Sequence, residues 1–127
     1  MAASGSASVL VVDDASFMRV VLKETLVSNQ LASKIYEAGD AVGAVQAYKQ
    51  YKPDVVTMDI NMPGADGIQA LKAIMKMDPK AKVVMITSAE KKNIVQDAMR
   101  AGARDYVVKP FEKTNVAMVL NKVLRAK

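Results

Sequence analysis

The chain has 127 residues, a formal charge of +5 and 51% hydrophobic residues, enough to build one domain around a single core. It has no cysteine and no histidine, which excludes a disulfide framework, thiolate chemistry, an imidazole base and His-bound zinc. Its apolar runs fall far short of the roughly 20 residues that span a bilayer, and no signal-like segment opens it, so a cytoplasmic location without membrane attachment is expected.

Residues 1–7 are small and polar and read as a disordered lead-in, leaving 8–127 as the folded domain. Residues 9–12 (VLVV) form a short β-branched run that ends in Asp13 and Asp14. A helix follows over about 16–29, with Phe17, Val20, Val21, Leu22 and Leu26 at helical spacing. Residues 34–38 (KIYEA) read as a second strand closed by Gly39. Asp40 is placed to cap a helix running to Tyr51. Pro53 then breaks the chain before 55–58 (VVTM), which runs into Asp59. A third helix over 66–77 is expected to bury Ile68, Leu71, Ile74 and Met75. Residues 83–86 (VVMI) run into Thr87. A fourth helix over 91–101 is ended by Gly102 in the left-handed conformation. Residues 106–108 (YVV) run into Lys109 and Pro110. The last helix, about 112–124, carries Val116, Val119, Leu120, Val123 and Leu124 on one face.

Strands alternating with helices predict an α/β domain: a parallel sheet, doubly wound, with right-handed crossovers and helices on both faces. Short apolar runs without polar alternation suit strands buried on both sides. In such a sheet chemistry sits beyond the carboxyl ends of the strands. Three carboxylates, a hydroxyl and an ammonium are therefore expected at one edge: Asp13, Asp14, Asp59, Thr87 and Lys109. Close carboxylates repel, so one should be harder to ionise unless a cation joins them. Mg2+ suits oxygen donors and recruits phosphate oxygens. Lys109 suits a phosphoryl oxygen, Thr87 offers a neutral donor, and Asp59 is placed to act as a nucleophile. The basic residues are scattered, with no dense run interleaved with aromatics, so no nucleic-acid partner is expected.

These motifs resemble the receiver domain of bacterial two-component response regulators. The resemblance rests on Asp13-Asp14, on Asp59 in MDINMPG, on Thr87 in ITSA and on AGARDYVVKPF ending at Phe111, and it covers residues 8–126. It is greatest to the single-domain chemotaxis members. It implies a flavodoxin-like (βα)5 fold of five parallel strands in the order 2-1-3-4-5. It implies that Asp59 accepts a phosphoryl group from a sensor histidine kinase. It implies that Asp14, Asp59 and the backbone carbonyl of Asn61 hold Mg2+, with Asp13 acting largely through water. Lys109 would pair with Asp59 and then with the phosphoryl group, which the backbone at Asn61 and Ser88 would also bind. Thr87 would move toward that group and Tyr106 would turn inward behind it. That motion would alter the face of the fourth helix, fifth strand and fifth helix. Lys91, Lys92, Ile94, Lys113 and Lys122 on that face suggest a partner with an acidic docking patch. The Lys109–Pro110 bond would be cis. Asn61 and Ala89 would flank the path of the hydrolytic water; Glu90 adjoins Ala89, which replaces an acid found in a well-known member.

The implied function is a monomeric phosphoacceptor rather than an enzyme, promoting its own phosphorylation and dephosphorylation. Its output partner would be a protein such as a flagellar motor switch component, or another kinase complex or phosphorelay. No attached effector domain is expected. Two other classes remain. A Mg2+-dependent aspartyl phosphatase would carry an acid where Asn61 stands. A flavin-binding module would need a phosphate-cradling loop where Asp13-Asp14-Ala15-Ser16 stands.

Overall fold

A computed structural model describes residues 7–62, 66–88 and 92–126. Five strands and five helices alternate: β1 (Ser8–Val12), α1 (Ser16–Ser28), β2 (Lys34–Ala38), α2 (Ala41–Tyr51), β3 (Val55–Met58), α3 (Gly67–Met77), β4 (Val83–Thr87), α4 (Lys92–Arg100), β5 (Asp105–Val108) and α5 (Lys113–Arg125). The strands form one parallel sheet in the order β2-β1-β3-β4-β5. This is the fold class and strand order that the resemblance implies.

Every residue of β3 and β4 is buried, which explains their unbroken apolar character. Side chains alternate between two cores. Leu10, Val12, Val56, Met58, Val83 and Met85 pack on one face with Ala44, Leu71, Ile74 and Ala98 of α2, α3 and α4. Val9, Val11, Val55, Val84 and Ile86 pack on the other with Leu22 and Leu26 of α1 and Val116, Leu120 and Val123 of α5. The caps follow from local chemistry. Asp40 accepts the Gly43 amide at 2.7 Å, and Asp66 accepts the Gln69 amide at 3.0 Å. Gly102 turns the chain after α4 with φ +116°, where a side chain would be strained and would collide with Met75.

Some details differ from the sequence reading. Phe17 and Val20 of α1 are exposed, at 73% and 48%. The helix buries Leu22, Thr25 and Leu26 instead, and at 3.6 residues per turn Phe17 and Val20 fall on the opposite side. In α3 the buried stripe is Ala70, Leu71 and Ile74, while Ile68 and Met75 are half-buried at its margins. β4 includes Thr87 as its last residue. Ala7 is buried, and its carbonyl accepts the Ser33 amide at 2.8 Å. Ala7, which the sequence reading placed before the domain, is thus part of the packed fold. Ala89, Glu90 and Lys91 lie outside the described residues, as does the side chain of Lys92.

Candidate functional site

The strands deliver their terminal residues to one edge, and the backbone there continues the ladder past the strands. The Asp13 amide donates to Ala38 O at 3.1 Å, the Asp59 amide to Val12 O at 3.0 Å, and the Lys109 amide to Thr87 O at 2.8 Å. Asp13 and Asp59 are consequently held as firmly as strand residues, although both follow the last strand position. Adjacent parallel strands bring their ends side by side. β1 and β3 are neighbours, as are β3 and β4, so the acids converge from two turns.

Asp13, Asp14 and Asp59 each present a carboxylate oxygen within 4.8 Å of the others. Asp13 and Asp59 are buried and Asp14 is exposed. Lys109 Nζ lies 2.8 Å from Asp13 Oδ2 and 3.7 Å from Asp59 Oδ2. The sequence reading paired Lys109 first with Asp59; the short hydrogen bond is instead to Asp13. The second Asp13 oxygen, Oδ1, accepts the Ala15 amide at 2.9 Å. Asp59 Oδ1 accepts the Asn61 amide at 3.3 Å. Asp59 is thus the less strongly bonded of the two buried acids.

Burial pushes the Asp59 carboxyl above its ordinary range. The Lys109 charge opposes that, Asp13 adds to it, the Asn61 amide opposes it, and Asp14 adds again. A divalent cation would reverse the balance by joining the carboxylates. The donor set fits Mg2+ in kind: all oxygen, with one acid exposed and able to share the ion with water.

Thr87 is fully buried at the end of β4, and Ser88 follows it, exposed, at the same edge. Tyr106 stands opposite Met85 in the β4–β5 register, and Thr87 stands opposite Val108. By strand alternation Thr87, Met85 and Tyr106 share the α4 face of the sheet. Tyr106 is 42% exposed. The Lys109–Pro110 bond is cis.

Two contributors escaped the sequence reading. Gly67 opens α3 directly against the backbone of Asp59: a Cβ there would lie 1.9 Å from the Asp59 carbonyl oxygen. Arg19 of α1 donates from Nη1 to the carbonyl oxygen of Asp13. A glycine following an N-cap aspartate is a weak sequence signal, and one arginine on an amphipathic helix reads as solvated.

The response regulator receiver domain model matches residues 9–121. The chain is 45% identical to the chemotaxis protein CheY of Bacillus subtilis over 116 residues, covering 91% of this chain and 96% of that one. It is 47% identical to CheY of Thermotoga maritima over 117 residues, covering 91% and 95%. Among solved structures, it is similar to the CheX–CheY–BeF3–Mg2+ complex from Borrelia burgdorferi. There the TM-score is 0.88 at 35% identity, with 95% of this chain and 90% of that chain covered. The resemblance thus extends through the sequence, the fold and nearly the full length of these relatives, and the chain belongs to the response regulator receiver domain family.

Proposed function

We propose that this chain is a phosphorylation-activated response regulator of a chemotaxis system, with Asp59 as phosphoacceptor. The observation that carries the reading is one arrangement: a buried Asp59 beside two further carboxylates, with the Lys109 ammonium 3.7 Å away. The donor is a phosphohistidine on a sensor kinase. An Asp59 oxygen attacks phosphorus, the phosphorus–nitrogen bond breaks, and its electron pair returns to the imidazole of the donor. Asp14, Asp59 and the Asn61 carbonyl would hold Mg2+, with Asp13 beside them. When bound, Mg2+ neutralises charge on the transferring group. Lys109 keeps a second positive charge within reach of the same oxygens. The Asn61 and Ser88 backbone amides complete the cradle.

The relatives support the pathway. Two are chemotaxis proteins, and one related structure carries Mg2+ with BeF3, a fluoride that stands in for a phosphoryl group. Output follows from Thr87 moving toward the phosphoryl group and Tyr106 turning inward on the same face of the sheet. The surface so altered spans α4, β5 and α5 and includes exposed Lys113 and Lys122. An acidic patch on a flagellar motor switch protein suits it. A phosphatase acting on outside substrates is disfavoured by Asn61, which cannot serve as a general acid.

Acetyl phosphate carrying labelled phosphorus tests the reading. The native chain is expected to take up label with Mg2+ and to lose that ability in EDTA. Asp59→Asn should take up none, because an amide is a poor nucleophile. Full labelling of that variant would move the acceptor elsewhere, and an undiminished rate without metal would remove Mg2+ from the reaction.

A further inference from the structure

Asp13 is tied at every polar atom. Its amide donates to Ala38 O at 3.1 Å, and its carboxylate takes the Ala15 amide at 2.9 Å and Lys109 Nζ at 2.8 Å. Its carbonyl oxygen accepts from Arg19 Nη1. Arg19 is itself anchored: its Nε donates to Glu37 Oε1 at 2.9 Å, and Lys23 Nζ holds the other Glu37 oxygen at 2.9 Å. The guanidinium lies over Gly39, where an added Cβ would meet Nη1 at 3.5 Å. Arg19 therefore spans from α1 to the loop after β1, and to β2 through Glu37.

We infer that Arg19, held by Glu37, is a positioning residue for the divalent cation, fixing the Asp13 backbone so that the carboxylates stay convergent. This rests on the proposed Mg2+ site. The reason such a device is needed is electrostatic. Asp13, Asp14 and Asp59 repel one another when ionised, and they sit beyond the last residues of their strands. A cation arriving among them competes with Lys109 for Asp13. The Asp13 carboxylate then loses its strongest side-chain partner, and its place depends on what still holds it. The Ala38 and Ala15 bonds act on the amide and on one carboxylate oxygen. Arg19 alone, among the described contacts, acts on the carbonyl.

A bare guanidinium beside a cation site would weaken it. Glu37 offsets that charge, and Lys23 shares Glu37 from its other side. Arg19 is thus oriented by Glu37, which offsets part of its charge. Its planar fork can serve two acceptors at once, which a lysine ammonium on a flexible stem does poorly.

The sign of one measurement separates placement from charge. Removing a positive charge should tighten cation binding if electrostatics alone matter; removing a strut should loosen it. Mg2+ titration by calorimetry is expected to show roughly tenfold weaker binding for Arg19→Ala, the low end for a group that supports a ligand from behind, with Arg19→Lys intermediate. Melting of the metal-free proteins is recorded beside it to separate site loosening from unfolding. Glu37→Gln, at a half-exposed side chain, provides a variant that keeps its fold. It is expected to weaken Mg2+ about threefold in the native background and to add nothing in an Arg19→Ala background, because the two act in series. Equal or tighter Mg2+ binding by Arg19→Ala overturns the role. So does an unaltered Glu37→Gln, or additivity of the two changes. A native chain that binds no Mg2+ removes the metal reading itself, an outcome distinct from a native chain that binds and an Arg19 variant that binds equally well.

Discussion

The two edges of the sheet treat their acids differently. At the edge where the strands begin, Asp54 and Asp78 have local partners. Asp54 accepts the Ser8 amide at 2.7 Å and the Ser8 hydroxyl at 3.2 Å. Asp78 accepts the Tyr48 hydroxyl at 2.7 Å and the Lys80 amide at 3.0 Å. Those two bonds, the hydroxyl first, hold Asp78 below its ordinary range. At the edge where the strands end, three acids share one ammonium, and burial lifts Asp59. One edge spends its polar groups on holding the fold; the other keeps three like charges close beside a single ammonium, the arrangement on which the proposed cation and phosphoryl binding rests. The same strands carry both edges, so the contrast comes from the terminal residues and not from the sheet.

The largest expected break in that contrast is Gly67→Ala. The new Cβ would lie 1.9 Å from the Asp59 carbonyl oxygen, 2.8 Å from its carbonyl carbon and 2.9 Å from Ile60 Cα. All three are backbone atoms, so no side chain can swing aside. Either α3 backs away, losing the Gly67 amide bond to Ile60 O at 2.8 Å, or the end of β3 shifts. A loss of more than about 3 kcal/mol in urea unfolding is expected, along with a sharp fall in Asp59 labelling. A stable, normally labelled variant would show that the junction of β3 and α3 is looser than its geometry.

Much of this molecule is legible in its sequence, for a physical reason. β3 and β4 are buried on both faces, so their residues are mostly apolar and often β-branched, and the polar residue that ends each run stands out. Asp59 and Thr87 were found that way, as was Asp13 after β1; Lys109 also ends an apolar run, although β5 is an edge strand that leaves Tyr106 and Val108 exposed. Gly67 was not, because its demand comes from a backbone approaching through space. Arg19 was not, because its acceptor is a carbonyl, which no side chain announces. The preference of Lys109 for Asp13 over Asp59 is a matter of an ångström in side-chain placement. Phe17 and Val20 mark a further limit: hydrophobicity says what can be buried, while the angular position on α1 decides what is.

A pair of substitutions sharpens the comparison, with opposite signs at the two edges. Tyr48→Phe removes the hydroxyl that holds Asp78 and is expected to lower stability by about 1 kcal/mol while leaving labelling of Asp59 unchanged. Asp59→Asn should do the reverse: labelling is lost and the metal-free fold gains. The folded pKa of Asp59 lies above its unfolded value, so the folded state binds the extra proton more tightly. Stability therefore falls as pH rises from near the ordinary value of 3.8 through the folded value, and the full penalty stands above that. In metal-free buffer at pH 7 the variant should melt a few degrees higher, with the gain shrinking toward acid as native Asp59 becomes neutral. A variant less stable at pH 7 would mean that the Lys109–Asp59 attraction outweighs burial.

The smallest effect is expected two residues before the proposed phosphoacceptor. Thr57 is buried in β3, paired in register with Val11 and Val84 and facing the α1 and α5 core. Among the described residues its Oγ1 has no hydrogen-bond partner. A buried hydroxyl without a partner is destabilising relative to a methyl group of the same shape. Thr57→Val is therefore expected to stabilise the protein by up to about 1 kcal/mol, read as an increase in the urea midpoint with unchanged slope. Labelling of Asp59 should be unaffected, because the hydroxyl faces the core and the ladder bond from Asp59 N to Val12 O, at 3.0 Å, is a backbone contact. A fall in the rate of labelling would instead tie the Thr57 hydroxyl to the site and extend the functional edge one layer deeper into β3.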